Sequence, residues 1–278
     1  MKTISVVDRT IHTLLVGLLA AALCSCEKVI NVDLNQAGPQ MVIEGNITDQ
    51  SGPYTVLLSR SGNYFEPSLY FPPVSNALVV ISDDLGNRDT LREVASGKYQ
   101  SSTLQGAAGR TYALAVTAEG NGYTATSSMP RKVTIDSMYA VRRVQSDGDR
   151  GYDVYVLFRD PPELGNYYRL NLRVNVALAP DSIDGRRYRL YSDKLTNGNQ
   201  AAFRMRIRRT VSVGDTVTVD LLSIDKATYD YYRTLNAILT SDRSPTSLSP
   251  ANPNTNLTGG SLGYFSAYTV DTKNIILR

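Results

Sequence analysis

The chain has 278 residues, 42% of them hydrophobic and 20% charged, and its formal net charge is +3. It contains no tryptophan, its one histidine is His12, and its two cysteines are Cys24 and Cys26. Removal of a leader ending before Cys26 would leave no histidine, which excludes nucleophiles activated by a histidine base and metal sites built on imidazole. We therefore expect no enzymatic activity, no catalytic residue, no metal site and no cofactor. The length predicts one large or two ordinary domains.

Residues 1–25 are predicted to form a lipoprotein signal peptide. Lys2 and Arg9 precede an apolar run over residues 14–23. This run is too short to span a bilayer as a permanent helix, and it fits the apolar region of a signal peptide.

The end of this leader predicts a lipid anchor. Leu23 lies three positions before Cys26 and Ser25 lies directly before it, a pattern that resembles the lipobox of lipoprotein signal peptidase. We expect Cys26 to be lipidated and residues 26–38 to tether the chain, because acyl chains hold a protein on a membrane surface without spanning it.

Residues 39–130 are predicted to form an immunoglobulin-like or transthyretin-like β-sandwich. Short β-branched or aromatic runs alternate with turn residues, and their spacing is typical of an all-β sandwich. Within residues 110–118 apolar side chains recur at every second position, so one face of that strand can be buried. The predicted strands are 41–47, 54–59, 77–82, 88–94, 110–118 and 123–127.

Residues 131–278 are predicted to form a second β-rich domain. Residues 168–176 alternate apolar side chains with arginine and asparagine, which indicates a strand with one apolar and one polar face. Residues 203–208 alternate in the same way with three arginines. A further strand is expected after the turn at Gly214.

One helix is predicted in this second domain, over residues 223–240, with Ser223 or Asp225 as its N-cap. Residues 244–257 are rich in Pro, Ser, Asn and Thr and indicate an extended loop. Two strands, 264–270 and 274–277, are expected to close the chain.

Arginines on the predicted strands of the second domain form a candidate surface for an anionic or protein partner. Tyrosines are interleaved with them, and planar guanidinium groups beside phenol rings suit anionic or sugar-like surfaces. A solvated sheet exterior paired with Asp and Glu is the alternative explanation. The candidate residues are Arg169, Arg173, Arg187, Arg189, Arg204, Arg206 and Arg208.

Two short motifs match catalytic patterns without their chemistry. Residues 259–263 satisfy Gly-x-Ser-x-Gly, which requires a histidine base that the mature chain lacks. Residues 223–226 satisfy Ser-x-x-Lys, but no companion motif accompanies them.

The acidic cluster at Asp147, Asp149 and Asp153 lacks the full pattern of a calcium loop. A carboxylate pair of the kind that hydrolyses glycans remains open.

The sequence resembles a known family in several blocks along the mature chain. The opening block Cys-Glu-Lys-Val-Ile at 26–30, the segment 42–49 and the closing block 259–268 resemble the Bacteroidota lipoprotein family catalogued as domain of unknown function 4249. This resemblance implies an outer-membrane lipoprotein whose gene lies beside that of a TonB-dependent receptor, with no established activity. Residues 141–210 match least, so the resemblance implies no ligand specificity there.

The residues predict a lipid-anchored binding or accessory protein, and the family resemblance implies that it lies at the outer membrane in association with a TonB-dependent receptor in nutrient uptake. A structural or adhesive surface lipoprotein is the alternative, and a carboxylate-based glycan hydrolase is a third. No nucleic-acid partner is expected, since the mature chain has 27 basic against 25 acidic residues.

Ser182 is a candidate modification site. The sequence Asp-Ser-Ile at 181–183 resembles the O-glycosylation sequon of exported Bacteroidota proteins.

Overall fold

Runs of β-branched and aromatic residues form the strands of this protein, because alternate side chains can enter an apolar core. The computed structural model describes residues 38–62, 71–144, 150–175, 177–178, 188–207, 211–241 and 252–278. Within these residues the strands form three sheets and enclose two hydrophobic cores. The predicted all-β fold class, a sandwich followed by a β-rich part with one helix, is confirmed.

The first sandwich is formed by the first eight strands. In one sheet the order is β1-β2-β6-β5, and in the facing sheet it is β4-β3-β7-β8. Ile43 and Val56 from the first sheet and Ile81 and Leu114 from the second are fully buried in one core. The strands are β1 (Met41–Thr48), β2 (Thr55–Arg60), β3 (Leu78–Asp83), β4 (Arg88–Thr90), β5 (Arg92–Ala95), β6 (Lys98–Gln100), β7 (Thr111–Ala118) and β8 (Asn121–Ser128).

The second core lies between a three-stranded sheet, ordered β14-β10-β9, and the strands β11 and β15. Val156 and Phe158 from β10 pack there with Leu170 from β11 and Val219 from β15. Short β12 and β13 both pair with β11. The strands are β9 (Ile135–Val144), β10 (Arg150–Arg159), β11 (Tyr167–Val174), β12 (Ala177–Leu178), β13 (Arg189–Ser192), β14 (Gln200–Ile207) and β15 (Thr216–Ile224).

The last strand, β16 (Leu262–Ile276), belongs to both sandwiches. Its first half runs parallel to β1, and its second half runs antiparallel to β15. β16 thereby joins the β1-β2-β6-β5 strands of the first sandwich to β15, β11 and β12 of the second in one sheet, in the order β12-β11-β15-β16-β1-β2-β6-β5. Phe265 in the first half is fully buried in the first core, and Ile275 in the second half packs against the second core.

The prediction of two separate closing strands was therefore wrong. The polar residues 271–273 indicated a break, but neighbouring elements satisfy their side chains within a continuous strand. Thr272 donates to the carboxylate of Asp220 at 2.8 Å, and the Lys273 ammonium donates to the carbonyl oxygen of Asp136 at 2.8 Å. Polar side chains with such partners do not interrupt a strand.

The helix, α1 (Lys226–Ser241), begins three residues later than predicted. Asp225 is its N-cap, because the carboxylate accepts the backbone N–H of Thr228 at 2.8 Å.

No helix in the described part of the chain combines the length and apolar character needed to cross a bilayer. Gly38–Arg278 form one compact unit, and the domain boundary predicted near residue 130 stays a prediction.

Candidate functional site

A groove of about 530 Å³ lies between α1 and the outer face of the joined sheet. Four adjacent strands, β11, β15, β16 and β1, form its floor, and α1 and Tyr188 form its walls. We call it the α1 groove. Its principal lining residues are Glu44, Asn46, Arg169, Asn171, Tyr188, Tyr231, Tyr232, Tyr264 and Tyr268.

Strand alternation places the floor residues on the face opposite the cores. On β16, Phe265 and Ala267 are buried in the first core, so Tyr264 and Tyr268 point to the other side. Glu44 lies directly opposite Tyr264 in the parallel ladder between β1 and β16. Arg169 lies opposite Leu222 in the ladder between β11 and β15.

Hydrogen bonds at two places fix α1 over this face. Near its start, the Thr228 hydroxyl donates to the Ser266 hydroxyl of β16 at 3.0 Å. Near its end, the Asn236 amide accepts the backbone N–H of Tyr188 at 2.7 Å and donates to the Tyr188 carbonyl at 2.8 Å. The helix is therefore held to the sheet through Ser266 and to the segment before β13 through Tyr188.

Four tyrosines form a continuous aromatic cluster along the helix side of the groove. The ring centroids of Tyr231 and Tyr264 are 4.7 Å apart, and those of Tyr188 and Tyr232 are 4.5 Å apart. Tyr232 also lies 5.3 Å from both Tyr231 and Tyr264, which links the two pairs. Each such contact contributes roughly 0.5–1.5 kcal/mol beyond area burial, so the cluster is a rigid wall.

Arg169 stands at one end of this cluster. Its guanidinium carbon lies 4.2 Å from the ring centre of Tyr232 and 4.8 Å from that of Tyr188. The two cation–π contacts hold the planar group in one orientation. Of the seven predicted arginines, Arg169 lines the groove.

The hydroxyls of Tyr231, Tyr232 and Tyr268 keep their protons at neutral pH. Burial raises the pKa of Tyr231 and of Tyr232 well above the usual value for phenols. Burial and the neighbouring Tyr264 raise the pKa of Tyr268 to about 12. The phenols therefore act as neutral hydrogen-bond donors and acceptors.

Glu44 supplies a carboxyl group to the same groove. Its side chain remains accessible to water, but the surrounding protein displaces part of its hydration, and this desolvation raises its pKa above the usual value. No hydrogen bond or ion pair to Glu44 from another side chain is present among the described residues.

The other predicted arginines lie elsewhere. Arg173 shares the outer face of β11 but is paired with Asp220 at 2.6 Å. Arg189 lies opposite Leu170, a core residue. Directly opposed residues share a face of the sheet, so Arg189 lies on the core face and not on the face that forms the groove. Arg204 and Arg206 lie on β14 of the three-stranded sheet, where Arg206 lies 3.8 Å from Asp153. The predicted arginine surface is thus divided between separate faces of the molecule.

Four predicted site residues, Cys26, Ser182, Arg187 and Arg208, lie outside the described residues. Their assignments stay predictions.

Sequence reasoning missed most of the groove. Glu44, Tyr231, Tyr232, Tyr264 and Tyr268 were not recognised as site residues, since they come from three elements distant along the chain. One signal was available in the alternation of β16, where Tyr264 and Tyr268 occupy the face opposite Phe265. Two tyrosines facing away from a core indicate a second packed surface.

The described residues contain no group of three or more His, Cys, Asp or Glu side chains placed to hold a metal ion.

Comparisons with known proteins place the chain in a family without an assigned activity. No curated protein matches it. A segment of two fibronectin type-III domains from chicken tenascin is 13% identical over 66% of this chain and 90% of its own, with a TM-score of 0.21. The Yersinia pseudotuberculosis adhesin InvE is 17% identical over 66% of this chain and 55% of its own, with a TM-score of 0.19. These scores are too low to support an inference about function. The sequence of residues 27–274 matches the Domain of unknown function (DUF4249), and the chain belongs to that family.

Proposed function

We propose that this protein is a lipid-anchored binding protein of the outer membrane, which retains a ligand in the α1 groove for a TonB-dependent receptor. The observation that carries the proposal is the groove itself, whose volume of about 530 Å³ lies within the range of roughly 300–1,000 Å³ typical of small-molecule sites. Its tyrosines lie outside both cores, and although Tyr231 and Tyr232 are buried between α1 and the sheet, the others remain partly exposed, so packing of the helix does not account for all of them.

The distribution of polar groups also supports binding. Glu44 and Asn46 from β1 and Arg169 and Asn171 from β11 converge on one concave surface. A few placed polar groups among aromatic rings orient a ligand, while the rings supply contact area. The proposed role is binding rather than catalysis, because the mature chain has no histidine and its one thiol belongs to the proposed anchor, Cys26.

The anchor and tether complete the proposal. Lipidation of Cys26 would hold the compact unit Gly38–Arg278 near the membrane through residues 26–38. Mass spectrometry of protein from the native host checks this, and it should find a lipidated Cys26 followed by Glu27. An unmodified N-terminus at another residue would contradict the anchor.

Affinity purification from membranes of the native host tests the receptor partnership. We expect a TonB-dependent receptor barrel, identified by mass spectrometry, to co-purify with the tagged protein, and a small molecule to be released on denaturation. The groove variant Tyr268→Ala should lose the small molecule, whereas the control Tyr139→Ala, on the exposed face of β9, should keep it. A preparation with neither receptor nor groove-dependent ligand would reject the proposal.

A structural or adhesive role is the second candidate, and one observation favours it. Tyr139 and Val141 on β9 and Ile276 at the end of β16 are 48%, 48% and 62% exposed. Exposed apolar side chains of this kind mark protein contacts when they form one patch. Loss of partner capture in Val141→Lys, with groove ligand retained, would favour this role.

A further inference from the structure

We propose that the ligand of the α1 groove is a neutral oligosaccharide. This inference rests on the proposed function, because it assigns a chemical class to the ligand that the groove is proposed to retain. It is drawn from the charge balance, the hydrogen-bonding groups and the aromatic surface of the groove.

The charges of the groove balance one another. The lining side chains that can carry a charge are Glu44, which is acidic, and Arg169, which is basic. Tyr231, Tyr232 and Tyr268 add no charge, because burial raises the pKa of each phenol. An anionic or cationic ligand would therefore meet no surplus of the opposite charge to offset the loss of its hydration. A ligand without net charge avoids this cost.

The hydrogen-bonding groups are of mixed type. The carboxylate of Glu44 accepts, the guanidinium of Arg169 donates, and the amides of Asn46 and Asn171 do both. Sugar hydroxyls are also both donors and acceptors, so a ligand rich in hydroxyls can pair with every one of these groups. Ligands whose polar groups are only acceptors or only donors would leave part of the groove unpaired.

Asn171 adds a specific observation. Its amide oxygen is shielded from solvent and has no hydrogen-bond partner among the described residues, although the side chain lines the groove. A buried acceptor without a partner is costly, at roughly 1–3 kcal/mol. A ligand hydroxyl on this floor would remove that cost once the Asn171 side chain turns its oxygen toward the groove.

Tyr268 supplies an aromatic surface for the sugar ring. Its side chain is half-buried, and its ring makes no aromatic contact within the described part of the chain, unlike those of Tyr231, Tyr232 and Tyr264. The C–H face of a pyranose packs on such a ring through dispersion and weak C–H contacts. The groove thus combines an aromatic surface with hydrogen-bonding groups around it, as one sugar ring requires.

Calorimetric titration of the purified full-length mature protein tests the inference. The neutral probes are cellotriose, xylotriose, mannotriose and maltotriose, the acidic probe is trigalacturonic acid, and the peptide probes are trialanine and trilysine. Tyrosine emission gives a second readout, because the chain has 18 tyrosines and no tryptophan. We expect at least one neutral trisaccharide to bind, with an affinity unchanged by added salt because no net charge is paired.

Variants connect this binding to the groove. Tyr268→Ala should weaken it about tenfold, as loss of an aromatic platform does. Asn171→Leu keeps the volume, removes the hydrogen bonds and should weaken binding about fivefold. Tyr139→Ala, outside the groove, should bind as the wild type does, and thermal melting of each variant confirms that it is folded.

The outcomes separate this inference from the proposed function. Binding of trigalacturonic acid or of a peptide that is lost in Tyr268→Ala would overturn the oligosaccharide and leave the groove as a ligand site. Binding of no probe would also overturn the oligosaccharide, while the receptor capture described above would still decide the accessory role. Binding of a neutral trisaccharide that Tyr268→Ala and Asn171→Leu leave unchanged would place the sugar elsewhere and overturn the inference.

Discussion

Asp89 in the first sandwich is a buried carboxylate whose pKa links stability to pH. Burial alone would raise this pKa, but the backbone N–H groups of Leu104, Thr103 and Ser102 donate to the carboxylate at 2.7–2.9 Å. These bonds outweigh burial and lower the pKa to about 2. Because the pKa is lower in the folded state, Asp89 stabilises the protein above the unfolded pKa near 4, and this contribution is lost as pH falls toward 2.

Asp89→Asn should therefore destabilise the protein by about 2 kcal/mol at pH 7, since the amide is uncharged and cannot accept the same set of N–H donors. Urea denaturation at pH 7 and at pH 3 measures this, and the difference from wild type should shrink at pH 3. Asp136→Asn, at an exposed position on β9, is the control and should change stability little. An equal loss at both pH values would contradict the electrostatic explanation.

At the scale of single elements, α1 depends on its N-cap. One oxygen of Asp225 accepts the N–H of Thr228, and the other accepts the Ser127 hydroxyl of β8 at 2.7 Å. Asp225→Ala should cost about 1–2 kcal/mol by loss of the cap and of the bond to Ser127. It should also weaken ligand retention, because the helix forms one wall of the groove.

Amide hydrogen exchange of α1, together with thermal melting, measures this effect. The matched control is Asp230→Ala, which removes another acidic side chain of the same helix. Asp230 pairs with Lys226 and Arg233 along the helix, and such pairs contribute about 0.3–0.5 kcal/mol each. Equal effects of the two substitutions on helix exchange would show that the cap does not hold α1.

Local patterns predicted most elements but not the site. The alternation at 110–118 and the helical spacing after Asp225 predicted β7 and α1 to within a few residues. Lys98–Gln100 was missed because a three-residue strand is too short to show a period. The α1 groove was missed because Glu44 and Tyr264 meet only through parallel pairing of β1 with β16, a contact across more than two hundred residues that no local pattern contains.

At the scale of the whole molecule, β16 couples the two sandwiches. Seven residues of β1 are paired in parallel with β16, from Val42 opposite Leu262 to Thr48 opposite Tyr268. Phe265 is fully buried against the first core, and loss of such a side chain costs about 3–5 kcal/mol. The stability of a domain is only about 5–15 kcal/mol, so the first sandwich depends heavily on a strand from the far end of the chain.

This dependence predicts that residues 39–130 are poorly folded when expressed alone. Joining residues 252–270 to that fragment through a Gly/Ser linker of about 12 residues should restore folding. The added segment would return β16 to β1 and would also pair with β8, where the N–H of Thr258 donates to the carbonyl of Thr124 at 2.8 Å. The fused fragment carrying Phe265→Ala is the matched control and should again lose cooperative melting. A fragment 39–130 that melts cooperatively at the temperature of the fused form would show that the first sandwich is stable without β16.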